Sequence, residues 1–157
     1  MKNDKTDNHE QLFWEEIDRL FPDMIKAIAS LSKKSYLSIT NLRTGITWWS
    51  ERAMDYFGMK ENYTIRSMEK ANRKIHPDDV ATFKRGFKER VDGKNLDTAW
   101  EYRIQDGDSY NRFNAMARVL YDEQKQPFII IIRYDNYGIS DEVDSVTGLY
   151  TEPALNR

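Results

Sequence analysis

The chain has only two imidazoles, His9 and His76, and no cysteine. Without thiols there are no disulfides, thiolate nucleophiles or cysteine metal sites, no cysteinyl-flavin photochemistry and no covalent haem attachment through a CxxCH motif. His9 and His76 fall in different expected elements, so they cannot by themselves build a multi-histidine metal centre. The chemically suggestive stretch is Ile75-His76-Pro77-Asp78-Asp79. Pro77 disfavours helix at His76, and Asp78 and Asp79 stand at a helix start, where carboxylates are favoured. His76 therefore reads as a local hydrogen-bonding group that fixes the start of the helix. The two aspartates read as caps rather than as a general acid and base. No converging nucleophile, base or metal set is visible, so this chain is not expected to be an enzyme by itself, and no metal is expected.

Aromatic residues make up 13% of the chain, and they can either fill a small core or line an internal ligand. An internal ligand would lie between a sheet and its helices. Its candidate lining is Trp48, Tyr56, Phe57, Phe83, Phe87, Trp100, Tyr102, Phe113 and Ala115. These side chains are large and mostly apolar, with few polar groups to orient a ligand. A closed aromatic core or a small hydrophobic ligand is expected over a polar metabolite.

The elements that must carry these residues follow from periodicity. A three-strand antiparallel meander spans Thr98 to Tyr134. Trp100, Tyr102 and Ile104 share one face of its first strand. Gly107 supplies turn chemistry, and Phe113, Ala115, Ala117 and Val119 alternate along the second strand. The isoleucine run 129–132 breaks the alternation of the third, which predicts a strand covered on both faces. Upstream, Tyr36–Thr40 and Ile46–Trp49 form a hairpin around Gly45. Trp48 and Trp49 must point to opposite faces. Ser50 caps a short helix that Gly58 ends. Lys60 to Asn72 is expected to hold short helical turns, and a helix over about 79–91 buries Val80, Phe83, Phe87 and Val91. Five strands then make one antiparallel sheet in an α+β domain, with short helices on one face.

Residues 1–8 are polar and expected to be mobile. An amphipathic helix over 9–34 repeats Phe13, Ile17, Leu20, Met24 and Ile28 at helical spacing, with a kink or split near Phe21 imposed by Pro22. That stripe can cover the outer face of the sheet, pair with its copy in a homodimer, or do both. Composition is that of a foldable domain, with 39% hydrophobic and 32% charged residues. A net charge of -2 leaves no basic patch for nucleic acid. No apolar run can span a membrane, and no signal peptide is visible, so a cytoplasmic location is expected.

The order strand-strand, helices, three strands resembles a PAS domain over 35–135. The carriers are Gly45-Ile46-Thr47-Trp48-Trp49-Ser50 with Ala53-Met54-Asp55-Tyr56-Phe57-Gly58, then Ile75-His76-Pro77-Asp78-Asp79 with Phe83, and Glu101-Tyr102-Arg103-Ile104 with Asp106-Gly107. The last two resemble the PAC-containing subgroup. Phe113 stands where that subgroup often has tryptophan, and Tyr134-Asp135-Asn136-Tyr137 replaces its Asp-Ile-Thr ending. After a linker at 136–144, Asp144-Ser145-Val146-Thr147-Gly148-Leu149-Tyr150 resembles the start of GGDEF domains, which make cyclic di-GMP. Residues 145–157 read as the truncated beginning of such an output domain, without its signature loop or metal-binding carboxylates.

The resemblance implies a sensory and dimerisation module of a bacterial signalling protein that controls a diguanylate cyclase-like domain. The alternative is a ligand-free PAS domain that only docks or dimerises. The identity of any cofactor is left open. Haem is not expected, because His76 precedes the long helix from which haem-binding relatives take their axial histidine.

Overall fold

The computed structural model describes residues 4–65 and 72–139. The chain divides into two compact units, with the boundary between Lys33 and Lys34. The first unit contains helix α1 (Asp4–Ile17), a single 3-10 turn (Asp18–Leu20) and helix α2 (Phe21–Ser30). Pro22 lies in the first turn of α2. A missing N–H costs nothing there, so the proline starts a second helix rather than bending one. Residues 4–8, expected to be mobile, belong to α1. Once a helix is nucleated, each added residue gains a hydrogen bond and needs no apolar side chain. Phe13, Leu20 and Ile28 are exposed, while Ile17 and Met24 are half-buried.

The second unit is a six-stranded antiparallel sheet in the order β3-β2-β1-β6-β5-β4. Its strands are β1 (Ser35–Asn41), β2 (Ile46–Trp49), β3 (Tyr63–Ile65), β4 (Trp100–Asp106), β5 (Ser109–Tyr121) and β6 (Pro127–Ile139). Five strands are expected from the sequence, and β3 is the sixth. It pairs Tyr63 with Trp48, Thr64 with Thr47 and Ile65 with Ile46. Aromatic and β-branched residues suit a strand. Three further bonds hold it to the otherwise bare edge of β2: Trp49 donates its N–H to the Asn62 carbonyl at 2.7 Å and its indole N–H to Thr64 Oγ1 at 2.8 Å, and the Asn62 side-chain amide donates to the Trp49 carbonyl at 2.9 Å. Residues 66–71 of the stretch read as helical turns lie outside the described residues.

β6 is also longer than expected, continuing past Tyr134 through 136–139 of the anticipated linker. It stays paired to β5 across a register shift between Asn111 and Phe113. The remainder of that linker, 140–144, and the anticipated output-domain start at 145–157 lie outside the described residues.

Alternation sorts the sheet into two faces. Trp49, Trp100, Tyr102, Ile104, Phe113, Ala115, Ala117, Ile130, Ile132 and Tyr134 are buried in one core. Leu37, Ile39, Trp48, Ile129 and Ile131 are half-buried at the intervening positions. Helix α3 (Glu51–Phe57) begins at Ser50, whose hydroxyl accepts the Ala53 N–H, and ends at Gly58 with φ 67°. That left-handed conformation favours glycine.

Helix α4 (Val80–Val91) follows a 3-10 turn at Pro77–Asp79. The cap of this turn is His76, whose Nδ1 accepts the Asp78 N–H at 3.1 Å. The expected aspartate caps are not seen. Asp79 makes no capping bond. It binds β4 instead, accepting the Arg103 guanidinium at 2.8 and 2.9 Å and the Arg103 backbone N–H at 2.8 Å. An arginine fork matches a carboxylate better than a helix end does. The Arg103 hydrogen bonds, opposed by burial, hold the Asp79 carboxyl below its ordinary value of 3.8.

Nearly two turns into α4, Gly86 lies against Trp100 of β4. A Cβ at Gly86 would come within 2.6 Å of the indole Cδ1. The same indole carries the Arg90 guanidinium over its ring at 4.2 Å. Arg90 is 3% exposed and donates to the carbonyls of Gly86 and Thr98. No helix among the described residues is long and apolar enough to cross a membrane.

Two predictions follow from these contacts. Gly86→Ala should lower stability by about 1–3 kcal/mol through overpacking, outweighing the ~1 kcal/mol that alanine adds to helix propensity. A higher urea midpoint would show that Trp100 yields. Asp79→Asn should cost about 2 kcal/mol at neutral pH, in the range of a charge-assisted hydrogen bond. Because the folded carboxyl titrates below 3.8, that contribution is full above the unfolded value and fades as pH falls through the folded one. Urea midpoints of the two proteins should therefore converge in acid. A gap independent of pH would show that the carboxylate charge does not stabilise the fold.

Candidate ligand cavity

A cavity of about 720 Å³ opens between the sheet and the segments that cross it. This size falls in the range of small-molecule sites. β2 contributes Trp49, β4 contributes Tyr102 and Ile104, and β6 contributes Tyr134. Phe57 and Met59 come from the end of α3 and the residues after it, Ile75 from the approach to α4, and Phe83 from α4 itself. Strand β3 forms the exposed wall with Tyr63, Thr64 and Ile65, and Lys60, Glu61, Arg73 and Lys74 are the charged residues of the lining.

The walls are held by side-chain packing and by hydrogen bonds. Phe83 meets Tyr102 edge-on with centroids 4.9 Å apart. Trp49 stacks on Tyr134 at 6.0 Å and meets Phe57 edge-on at 5.7 Å. Such geometries suit the aromatic quadrupole. Ile75 forms an isolated bridge to Ile104, and the His76 N–H donates to the Arg103 carbonyl at 2.9 Å. Together these bonds lay the approach to α4 along β4. Lys74 donates to the Phe57 carbonyl at 3.2 Å, tying the charged side to α3.

Two buried phenols lie within the wall. Tyr134 shares a 3.0 Å hydrogen bond with Ser38, and burial pushes its pKa up to about 12. Tyr102 is 3% exposed, and burial raises its pKa well above the ordinary value. Its hydroxyl oxygen has no hydrogen-bond partner. A buried hydroxyl without a partner costs free energy, and this one belongs to a residue of the cavity wall.

Of the lining expected from the sequence, the structure brings Phe57, Phe83 and Tyr102 to the cavity. Trp48 is not there. It occupies the opposite face from Trp49, because neighbouring strand residues point to opposite sides. Tyr56 and Phe113 pack together at 5.5 Å, and Tyr36 stacks on Tyr56 at 5.2 Å. Asn111 donates to the Tyr56 hydroxyl at 2.7 Å, and burial raises that phenol to about 12. This cluster fills the core rather than lining a void. Trp100 lies under α4 beside Gly86, Ala115 is fully buried, and Phe87 packs half-buried against the core. None of the three lines the cavity.

The sequence reading missed Trp49, Tyr134, Ile75 and the β3 wall. Trp49 and Tyr134 were legible as strand residues but not as inward-facing ones. Ile104 shares its face with Trp100 and Tyr102 and could have been added on that signal. His76 is outside the lining, and its ring packs on Tyr110 at 4.7 Å. Among the described residues, no cluster of three metal-ligating side chains exists, and no histidine or cysteine lines the cavity.

Solved structures share this arrangement. A sensory box histidine kinase/response regulator from Burkholderia thailandensis is 17% identical with a TM-score of 0.54, over 80% of this chain and 88% of that one. The N-terminal domain of a diguanylate cyclase with PAS/PAC sensor from Marinobacter aquaeolei is 15% identical with a TM-score of 0.55, over 67% and 96%. An RNA-binding light-oxygen-voltage receptor is 8% identical with a TM-score of 0.52, over 78% and 33%. At such identities the likeness is one of fold. No curated protein matches the sequence. Residues 46–132, over half the chain, match the family described as the PAS fold, and they run from β2 to the inward-facing Ile132 of β6. The chain belongs to the PAS family.

Proposed function

We propose that the chain is a cytoplasmic sensory and dimerisation module that reads a small molecule in its cavity and controls a C-terminal output domain. The observation that carries the reading is the cavity itself, bounded by four of the six strands and by the helical segments. A core built only for stability leaves few voids.

The output is proposed to be a diguanylate cyclase-like domain beginning at 145–157. The resemblance of Asp144-Ser145-Val146-Thr147-Gly148-Leu149-Tyr150 to a GGDEF start supports this. So does the fold likeness to the N-terminal domain of a diguanylate cyclase with PAS/PAC sensor from Marinobacter aquaeolei. Such enzymes join two GTP-loaded half-sites, so a regulator can act by setting how two subunits face each other. Ligand occupancy would then shift the balance between subunit arrangements.

The dimer is proposed to form through the N-terminal helices with a second copy of this chain. The apolar stripe of Phe13, Ile17, Leu20, Met24 and Ile28 supports this, since three of its five residues are exposed. Exposed apolar stripes of this kind mark interaction surfaces.

Native and denaturing mass spectra of the freshly purified chain test the sensory reading. A reproducible extra mass, lost on denaturation, is expected. A clean apoprotein that no small molecule stabilises would instead mark a domain that only docks or dimerises. For the dimer, deleting residues 1–30 should weaken self-association by at least about tenfold in sedimentation, a loss of roughly 1.4 kcal/mol. Unchanged dimer affinity would remove the helices from the interface.

A further inference from the structure

The residue that caps the turn into α4 can change its charge. His76 Nδ1 accepts the Asp78 N–H at 3.1 Å. A ring nitrogen accepts only when it carries no proton, so this contact requires the neutral imidazole with its proton on Nε2. Helix α3 is capped by the hydroxyl of Ser50, which gains no charge at any ordinary pH. An imidazole is the side chain whose charge ordinarily changes between pH 5 and 8. Its use as a cap makes the bond conditional on acidity.

The surroundings of the ring offer a second arrangement. The Asp78 carboxylate stands 4.0 Å from Nδ1, and its side chain is 78% exposed, so it can turn toward the ring. Asp79 is the other carboxylate nearby, but the Arg103 guanidinium of β4 engages it. Those Arg103 hydrogen bonds do most to hold the Asp79 carboxyl below 3.8, and His76 adds a smaller effect in the same direction through space. From β5, the Tyr110 ring packs on the imidazole at 4.7 Å. The ring is thus faced by two carboxylates, one held by Arg103 and one exposed, by the Arg103 cation and by one phenol. Backbone bonds fix the turn independently of any titrating group. The His76 N–H donates to the Arg103 carbonyl at 2.9 Å, and the Asp79 N–H to the His76 carbonyl at 2.8 Å. The side chain can therefore change partners while the turn keeps its place.

We propose that His76 is a pH-sensitive cap: the neutral ring holds the Asp78 N–H, and on acidification Nδ1 takes a proton from solvent, releases that N–H and donates to the Asp78 carboxylate instead. One acceptor becomes one donor, and its partner changes from the backbone to the side chain of the same residue. Asp79 is neither the partner lost nor the partner gained, so the Arg103 grip persists through the exchange. The freed N–H lies in the turn that follows Ile75 of the cavity wall. The device does not depend on what the cavity binds.

Nitrogen-15 spectra of the 157-residue chain between pH 8 and 5 test this. The chain has two histidines, so His9→Gln leaves His76 as the only imidazole to follow. At pH 8 the ring should carry its proton on Nε2. As it titrates, the Asp78 amide proton should move upfield with the same midpoint. His76→Asn keeps a capping acceptor that does not titrate, and the Asp78 amide should then stay still across the range. Asp78→Asn removes the charge that receives the protonated ring, and His76 should then hold its proton about threefold less tightly, the size of an exposed ion pair. Thermal unfolding of each variant confirms that it folds. Any of three results would overturn the proposal: a ring protonated on Nδ1 at pH 8, an Asp78 amide that ignores the titration or moves as much in His76→Asn, or an imidazole that titrates unchanged in Asp78→Asn.

Discussion

The grip of Arg103 on Asp79 decides where the helical layer meets the sheet. One carboxylate takes two guanidinium bonds and one backbone N–H, all at 2.8–2.9 Å, with both side chains 18% exposed. At that depth the Coulomb attraction is screened far less than on an open surface. The backbone bond matters as much as the ion pair, because it fixes Asp79 to a position along β4 rather than to a mobile side chain. From this anchor the rest of the layer is geometry. Phe83 follows one turn later over Tyr102, and Gly86 comes next over Trp100. The missing Cβ at Gly86 lets the helix approach closely enough for Arg90 to lie on the same indole.

The anchored layer still leaves room beside it, since the cavity reaches from Tyr102 and Ile104 of β4 to the β3 edge. The inner face is uneven. Near its middle, Tyr36, Tyr56 and Phe113 pack ring against ring and fill the space between them. Toward β3 the wall becomes a three-residue strand with exposed Tyr63 and Ile65. The cavity lies where aromatic filling gives way to this short edge. Both neighbouring phenols keep their protons because burial disfavours the charged form, but only Tyr134 has a hydrogen-bond partner to offset that burial.

The sheet was legible where alternation ran long enough to be counted. Trp100, Tyr102 and Ile104, and Phe113, Ala115 and Ala117, all face inward as their period of two requires. The isoleucine run split as expected, with Ile130 and Ile132 buried and Ile129 and Ile131 half-buried on the other face. What periodicity cannot say is which face is which for a short strand, and that is why Trp48 was placed where Trp49 belongs. Nor can it see a three-residue strand whose pairing depends on Trp49 and Asn62 bonds from outside it. The Asp79 contact was hidden for a different reason. A carboxylate at a helix start looks like a cap whenever its distant partner, here Arg103, is unknown. The cavity was least legible of all, since a void is the difference between packed volumes and no residue type encodes it.

The position of Tyr134 ties this void to the rest of the chain. β6 pairs with β1 on one side and β5 on the other, so it joins the two halves of the sheet. Tyr134 faces the cavity from that strand, stacked on Trp49 and bonded to Ser38. The next residue, Asp135, faces the other way, where Ser35 donates to it and Arg133 pairs with it at 3.2 Å. Beyond it β6 continues to Ile139, bending at the register shift opposite Asn111 and Phe113. The cavity wall therefore includes the strand that joins the two halves of the sheet. Packed cores move between discrete arrangements rather than deforming smoothly. The Tyr134 ring is held from both sides, by its stack on Trp49 and its bond to Ser38, on the strand that pairs with β1.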